Sequence, residues 1–190
     1  MSNIYIKDKT YTNIHVSETP LETGEYESCT FVNCNFSNAD FSGFIFSECE
    51  FEGCNLSLVK LQKTSLRDVI FKDCKLSGIQ FENTNEFGLS FGFIHCIIHN
   101  ASFFNMHIRN TQFKNCEIYE TDFSECDLSE SLFDYCDFAG STFNRTNLEK
   151  SDLRTSYNYS IDPDINKIKK AKFSLSGVVG LLSKYNIEVE

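Results

Sequence analysis

Residues 29–38, Cys-Thr-Phe-Val-Asn-Cys-Asn-Phe-Ser-Asn, repeat one pattern every five residues. A large apolar residue recurs at this spacing over residues 31–81 and, after one disturbance, over residues 93–153. An α-helix would show a period near 3.6 residues and a flat strand a period of 2, so neither explains a period of five. The repeat therefore predicts a solenoid of stacked units, each with one large inward residue.

A second ordered position lies two residues before each large one and holds small side chains. All nine cysteines of the chain occupy it: Cys29, Cys34, Cys49, Cys54, Cys74, Cys96, Cys116, Cys126 and Cys136. Buried cysteine behaves as a small hydrophobe, so we expect these thiols to point inward. Because nine is odd, a complete disulfide framework within one chain is excluded. The other three positions of each unit are mostly polar and are expected to face water.

Composition and charge narrow the range of functions. The 190 residues carry 17 basic and 27 acidic side chains, a net charge of -10, which argues against direct binding of nucleic acid or acidic membranes. The N-terminus lacks a basic segment followed by an apolar one, and no apolar stretch is long enough to cross a bilayer. We therefore expect a cytoplasmic protein with reduced thiols.

The sequence offers no clear enzyme or cofactor signature. Neither a P-loop nor a C-x-x-C pattern is present, and the carboxylates are expected on convex faces without a pocket to shift a pKa. His95 and His99 are close enough in sequence to converge near the register break, but metal binding by this pair is disfavoured. We predict a binding protein that is not an enzyme, with no cofactor and no metal site.

Units such as Cys34-Asn-Phe36-Ser-Asn and Cys126-Asp-Leu128-Ser-Glu resemble the repeat of the pentapeptide-repeat proteins. That repeat is a small residue, any residue, Phe or Leu, and two polar residues, and the resemblance covers residues 26–155. It implies the family fold, an all-β solenoid in the form of a right-handed quadrilateral β-helix with four pentapeptides per coil. At an inter-strand spacing of about 4.8 Å, these residues make about six or seven coils.

The five-residue register breaks once, near residues 83–92. From Phe81 to Phe93 there are two five-residue units and two extra residues, within the segment Asn83-Thr-Asn-Glu-Phe-Gly-Leu-Ser. Asn and Gly tolerate unusual backbone dihedrals, so we expect a kink or small bulge. The bulge is either a docking feature or a repair of the phase, and we favour the repair.

The two ends are expected to differ from the repeats. Residues 1–25 follow the phase only weakly and predict an N-terminal cap or atypical first coil. Residues 156–190 predict a short helical tail, since Asp162-Pro163 is a helix-start signal and Ser174 is able to cap a second helix. The apolar stripe of this tail is Leu175, Val178, Val179 and Leu182. The stripe either seals the open end of the rod or joins two copies, and we favour the homodimer.

Acidic residues concentrate between residues 117 and 137, where there are eight acids and no base. In a twenty-residue coil, residues twenty apart stack, so three acids are expected to be neutralised: Glu125 by Arg145, Glu130 by Lys150, and Asp134 by Lys114 and Arg154. The others predict a partner-binding acidic face, made of Glu117, Glu120, Asp122, Asp127 and Asp137. Glu117 and Asp137 stack like charge on like charge, which costs stability and favours a binding role.

Within the pentapeptide-repeat family, the chain is similar to the quinolone-resistance Qnr group and its relatives MfpA and McbG. The tail over residues 171–190 and the break over residues 83–95 carry this resemblance. It implies a homodimer that imitates duplex DNA and binds the type II topoisomerases, DNA gyrase and topoisomerase IV. The expected effect is on topoisomerase activity or on its sensitivity to quinolones or gyrase poisons. The alternative is a structural or adaptor protein with an unrelated protein partner.

Overall fold

The computed structural model describes residues 4–189. Its strands are short, because each spans one wall of a coil before the chain turns the next corner. The strands are β1 (Ile4–Lys7), β2 (Thr10–Thr12), β3 (Gly24–Glu27), β4 (Thr30–Val32), β5 (Ile45–Ser47), β6 (Glu50–Glu52), β7 (Ser65–Arg67), β8 (Val69–Lys72), β9 (Phe91–Ile94), β10 (Gln112–Lys114) and β11 (Leu132–Asp134).

All strand pairs are parallel and join neighbouring coils. One wall carries a four-stranded sheet in the order β1-β3-β5-β7, and the next carries a seven-stranded sheet from β2 to β11. The register pairs a residue with the one twenty positions on, as between Phe31 and Phe51, and across the register break with the one 22 positions on, as between Phe71 and Phe93. The other two walls are joined by single parallel bridges such as Glu117 to Asp137. This confirms the predicted right-handed quadrilateral β-helix.

The core is built from columns of large apolar side chains. One column stacks seven aromatic rings with centroids 4.7 to 5.4 Å apart: Tyr11, Phe31, Phe51, Phe71, Phe93, Phe113 and Phe133. Each buried Phe contributes roughly 1.5–3 kcal/mol of transfer free energy, and the repeat multiplies that contribution along the rod. Since every coil supplies the same inner shape, the outward positions are free to vary in charge.

The corners of the coils use a left-handed backbone. The residue two positions after each large one commonly has a positive φ, as in Asn33 at 52° and Asn38 at 61°. Among the acidic residues between 117 and 137, three occupy such corners: Glu120 at 50°, Glu125 at 60° and Glu130 at 64°. A non-glycine residue in this region costs roughly 1–2 kcal/mol. The corner geometry projects these three carboxylates away from the rod.

All nine cysteines are buried and free, which confirms the inward assignment. Seven of the thiols bond a backbone carbonyl of the preceding coil, as where Cys54 Sγ lies 3.3 Å from the carbonyl oxygen of Phe31. Burial raises the pKa of Cys49 to about 11. The thiols therefore act as packing groups that also hydrogen-bond between coils.

The register break lies directly above β7, where the four-stranded sheet ends. The segment is re-anchored at both sides: the Asn85 amide donates to the Thr64 carbonyl at 2.8 Å, and the Ser90 amide donates to the Leu66 carbonyl at 3.0 Å. Between these anchors Phe87 is pushed outward and is 77% exposed. The bulge thus absorbs two extra residues within a single coil.

Both ends join the ladder more fully than the sequence predicts. β1 and β2 pair in register with the next coil, although the first three residues of the expected cap lie outside the described part. At the other end, bridges to Lys167 and Lys172 continue the coil past residue 155, where the repeats were expected to stop. The side chain of Asn166 holds this last coil by bonding the Phe143 carbonyl at 3.1 Å.

No α-helix starts at Asp162-Pro163, because that segment forms part of the last coil. The helical tail predicted after Ser174 is present as two 3-10 turns, Gly177–Leu181 and Ser183–Tyr185. The hydroxyl of Ser174 accepts the Gly177 amide at 2.9 Å, as expected of a capping residue.

Candidate partner-binding site

The eight acids between residues 117 and 137 encircle the rod. Five-residue steps carry the chain from wall to wall, so Glu117, Asp122 and Asp127 belong to three separate columns, bridged to Ile97, Ser102 and His107 respectively. The five acids predicted to form one face therefore lie on three walls. We call the whole set the acidic belt: Glu117, Glu120, Asp122, Glu125, Asp127, Glu130, Asp134 and Asp137.

One side of the acidic belt is neutralised by ion pairs. The predicted pairs form: Arg145 Nη2 lies 3.2 Å from Glu125 Oε1, and Lys150 Nζ lies 2.6 Å from Glu130 Oε1. The hydrogen bond from Lys150 holds the pKa of Glu130 below its usual value. These carboxylates are partly exposed, so each pair contributes little to stability and mainly cancels charge.

Asp127 is paired as well, although the sequence predicts it as one of the acids of the partner-binding face that are not neutralised. Its Oδ2 lies 4.0 Å from Arg109 Nε, and its Oδ1 accepts a hydrogen bond from Asn147 Nδ2 at 2.9 Å. Arg109 stands two residues from His107, the direct neighbour of Asp127 in the column. The prediction considered only direct neighbours, and the long guanidinium side chain reaches diagonally.

Asp134 was predicted to be neutralised by Lys114 and Arg154, and the structure shows neither ion pair. It stacks on Lys114 as expected, yet within residues 4–189 no basic nitrogen lies within 4.0 Å of its carboxylate. Arg154, the expected partner, pairs with Asp152 instead, at 2.7 Å between Nη2 and Oδ2. The Asp134 carboxylate is bonded only by the Thr155 hydroxyl, at 3.1 Å. Sequence reasoning therefore missed one acid that lacks an ion pair.

Glu117 and Asp137 stack on one another as predicted, and the structure explains how the repulsion is tolerated. Asp137 is 9% exposed and accepts hydrogen bonds from the Tyr119 hydroxyl at 3.0 Å and Asn158 Nδ2 at 2.8 Å. The bond to Asp137 raises the pKa of Tyr119. Since the oxygens of Asp137 are occupied, it supplies charge to the belt while Glu117, with a 55% exposed side chain, supplies an accessible carboxylate.

Glu117, Glu120 and Asp122 form what we call the acidic corner, where two adjoining walls meet. Across the described residues none of the three has a Lys or Arg nitrogen within 4.0 Å, although His99 Nε2 lies 3.5 Å from Glu117. Asp122 is held by the Ser124 amide at 2.8 Å. This corner is the most strongly uncompensated part of the belt, and it retains three of the five predicted acids.

The tail folds back on the end of its own rod. The Ile161 amide donates to the Gly180 carbonyl at 3.0 Å, and Lys184 bonds Asp162 Oδ1 at 2.6 Å. Gly180 has no side chain because a Cβ there would collide with the backbone of Tyr159. An open cleft of about 700 Å³ remains between the tail and the last coils.

The residues predicted for a dimer interface divide between the outside and this cleft, which Val179 and Leu182 line. Leu175 is 94% exposed, Val178 39% and Val179 45%, while Leu182 is partly buried in the cleft. The tail therefore seals the rod with its glycine side. It presents an apolar face to the outside.

The geometry of the described residues does not favour metal binding or the catalytic arrangement of a serine hydrolase. Across residues 4–189 no three His, Cys, Asp or Glu side chains converge as metal ligands, and His95 faces Asp73 at 3.3 Å while His99 faces Glu117. The segment Gly88-Leu-Ser-Phe-Gly matches the G-x-S-x-G pattern of serine hydrolases. That pattern requires a following helix, whereas Ser90 leads into strand β9.

No helix in the described part of the chain is long and apolar enough to span a membrane.

The fold and the sequence pattern together define a quadrilateral β-helix with an acidic belt and an apolar end face. The chain belongs to the pentapeptide-repeat family: the family model described as "Pentapeptide repeat region" matches residues 25–92 and 89–157. No curated protein sequence matches the chain.

Several solved structures share the architecture. A trypsin-treated variant of QnrB1, a plasmid-mediated fluoroquinolone resistance protein, aligns with a TM-score of 0.53 and 24% identity over 98% of this chain and 100% of that one. Full-length QnrB1 gives a TM-score of 0.46 and 18% identity over 97% and 100%. HetL, involved in heterocyst differentiation regulation in the cyanobacterium Nostoc, gives 0.47 and 12% over 91% and 88%. The first of these likenesses supports the fold.

Proposed function

We propose that the chain is a DNA-mimicking protein that binds a type II topoisomerase, DNA gyrase or topoisomerase IV. Binding would modulate the activity of the enzyme or its sensitivity to quinolones or gyrase poisons. The observation that carries the proposal is the acidic corner, three uncompensated carboxylates within one coil of a rigid rod. It would act in the cytoplasm by binding and without catalysis.

The charge density of the acidic belt supports imitation of DNA at one place on the rod. B-DNA carries one negative charge per about 1.7 Å of axis, which is about three per coil spacing. Glu117, Glu120 and Asp122 supply that number on one corner. The ion pairs of Glu125 and Glu130 neutralise another side of the rod. The negative charge that would imitate DNA is therefore confined to the acidic corner.

The solved relatives add indirect support. The fold matches that of a QnrB1 variant, and QnrB1 is described as a fluoroquinolone resistance protein. A rod of this shape, with carboxylates on a corner, suits a basic groove that normally holds a duplex. Electrostatic complementarity of this kind speeds association and makes binding fall with added salt.

We propose in addition that two copies join through their tails. The docked tail leaves the apolar side chains of Leu175 and Val178 exposed at one end of the rod, and Val179 is 45% exposed at the rim of the cleft. An exposed apolar patch at the end of a rod is stabilised when a second copy covers it, since both patches then leave water. A twofold dimer would roughly double the length over which the two acidic belts are presented.

The exposed side chain of Phe87 favours a second candidate function, that of an adaptor protein. Phe87 is 77% exposed beside the register break, and an aromatic side chain there suits an apolar protein surface better than a groove for phosphates. This is the adaptor alternative, with a partner unrelated to topoisomerases. The two readings differ in salt dependence, because apolar docking does not weaken as ionic strength rises.

A supercoiling assay separates the two. Purified protein is added to DNA gyrase, with and without a fluoroquinolone, over a series of salt concentrations. The proposal expects altered supercoiling or altered drug sensitivity that fades as salt increases. Unchanged supercoiling and drug sensitivity at low salt, together with no binding to gyrase or topoisomerase IV by surface plasmon resonance, would favour the adaptor.

A further inference from the structure

The tail lies on the end of the rod with little packing behind it. No residue from 167 to 189 is fully buried, and an open cleft of about 700 Å³ separates the tail from the last coils. Leu181 packs partly against the core, and Gly177 and Gly180 meet the side chain of Tyr159. A segment with so few buried contacts opens at a low cost in free energy, so its docking depends on its polar contacts as well.

Lys184 bridges the tail to two carboxylates of the rod. Its Nζ bonds Asp162 Oδ1 at 2.6 Å and also bonds Asp164 Oδ2. The side chain of Lys184 is 25% exposed, whereas the other Lys and Arg side chains that form ion pairs within residues 4–189 are 38% to 69% exposed. The hydrogen bonds to the two carboxylates raise the pKa of Lys184. Since a more enclosed pair is less screened by water and salt, this contact is stronger than the other surface pairs.

The carboxylates that receive Lys184 are held rigidly by the turn 162–164. Asp162 Oδ1 accepts the Asp164 amide at 2.9 Å, and Pro163 between them has a restricted φ. The turn is fixed to the last coil, because the backbone amide and the side chain of Asn166 both bond the Asp162 carbonyl, at 3.2 and 2.9 Å. The contact therefore joins a rigid acceptor to a loosely packed tail.

We infer that Lys184 is an ionic latch: bonded to Asp162 and Asp164 it holds the tail closed on the rod, and raised ionic strength releases it. The closed tail fixes Leu175 and Val178 in outward positions at the end of the rod. Once released, turns as short as those of the tail do not keep their shape in water, so this apolar end face is lost. A closed latch thus presents the surface through which two copies would join, a step that rests on the proposed dimer.

The test is hydrogen exchange of the Ile161 amide in the full ¹⁵N-labelled chain, followed by NMR. Ile161 is fully buried and its amide donates to the Gly180 carbonyl at 3.0 Å, so it exchanges when the tail lifts. Lys184→Met keeps the apolar stem and removes the charge, and it should speed this exchange about tenfold. Raising the salt from about 0.05 to about 1 M should speed the exchange severalfold in the native chain and hardly at all in Lys184→Met.

Two control variants show whether the effect belongs to the latch. Lys169→Met removes the same charge from an exposed residue that forms no ion pair within the described part of the chain, and it should exchange as the native chain does. Asp164→Asn should speed exchange in the native chain and add nothing in the Lys184→Met background, where its partner is already gone. Exchange in Lys184→Met as slow as in the native chain, or equal quickening in Lys169→Met, would overturn the latch.

The link to association has a separate readout. If copies join only through closed tails, association must in turn hold the latch closed. Ile161 exchange should therefore slow as the protein concentration rises through the range in which light scattering detects a dimer, and Val178→Asp should abolish this slowing. Exchange that ignores concentration in a chain that dimerises would overturn the link. A native chain that stays monomeric would refute the proposed dimer and this link, while exchange in Lys184→Met would still decide the latch.

Discussion

The rings of Phe71 and Phe93 stack with centroids 5.4 Å apart and planes within 12° of parallel. Two more residues separate them than separate any other neighbouring pair in the column, because the register break lies between them. The core is therefore continuous through the break, and the two extra residues change only the surface of the rod. This supports phase repair as the structural role of the break, which also leaves Phe87 exposed.

Charge reversal at the acidic corner should abolish topoisomerase binding. In the triple variant Glu117→Lys/Glu120→Lys/Asp122→Lys, attraction to a basic groove becomes repulsion. The free energy of unfolding should stay within about 0.5 kcal/mol per substitution, since no ion pair with Lys or Arg is lost. Surface plasmon resonance with DNA gyrase and chemical denaturation measure the two quantities.

The matched control is Glu125→Lys/Glu130→Lys, which changes charge on the neutralised side. These residues face Arg145 and Lys150, so reversal places like charges together and should lower the melting temperature. Its effect on gyrase binding should be smaller than that of the triple variant. Equal loss of binding in both variants would mean that net charge matters and the acidic corner does not.

The tail should carry the dimer contact. Replacing Val178 and Val179 with Asp puts charge on the exposed apolar face and should convert a dimer into a monomer of 21.8 kDa. Static light scattering measures the mass. Leu58→Asp changes an equally exposed apolar side chain elsewhere and should leave the dimer intact. A native chain that is already monomeric would contradict the dimer proposal.

Docking of the tail on the rod should depend on Gly180. In Gly180→Ala the new Cβ collides with the backbone of Tyr159, so the tail must move away. Hydrogen exchange over residues 177–189 should quicken, while the coils up to residue 153 keep their protection. Ser176→Ala, at an exposed position, is the control and should leave exchange unchanged.

The nine thiols should resist labelling in the native state. All nine are buried and most bond a backbone carbonyl, whereas the reactive form of a thiol is the exposed thiolate. A thiol reagent should modify them slowly in buffer and completely in denaturant. Rapid modification of most of them in buffer would show that the coils open or that the inward assignment is wrong.

The Asp152–Arg154 pair should give stability that depends on pH. The hydrogen bonds from Arg154 lower the pKa of Asp152 from its ordinary 3.8 to about 2. A lowered carboxyl pKa stabilises the folded state above pH 3.8, and this contribution is lost as the pH falls toward 2. Asp152→Asn should therefore cost about 1 kcal/mol near pH 6 and almost nothing near pH 2.

Chemical denaturation at a series of pH values measures the effect. Arg154→Met removes the main partner and should lose part of the same increment over the same pH range, because Lys172 Nζ remains 3.5 Å from Asp152 Oδ2. A deficit of Asp152→Asn that is equally large at pH 2 and pH 6 would show that the substitution acts through packing and not through the ion pair.

The sequence alone predicted the coils and their interior. A period of five with a large and a small inward residue predicted a solenoid and the inward position of every cysteine and of the Phe residues. The number of four units per coil was implied by the resemblance to the pentapeptide-repeat family. With twenty residues per coil, the Glu125–Arg145 pair was predictable.

Only the tertiary structure decided which of several nearby acidic residues each basic side chain pairs with. Arg109 reaches diagonally to Asp127, and Arg154 bonds Asp152 two residues away in preference to Asp134 in the coil before. Long cationic side chains have several acids within range, and the period cannot rank them. The end of the rod is similar: Asn166 keeps the last segment in the ladder where Asp162-Pro163 indicated a helix, because its bonds to the preceding coil outweigh a local preference.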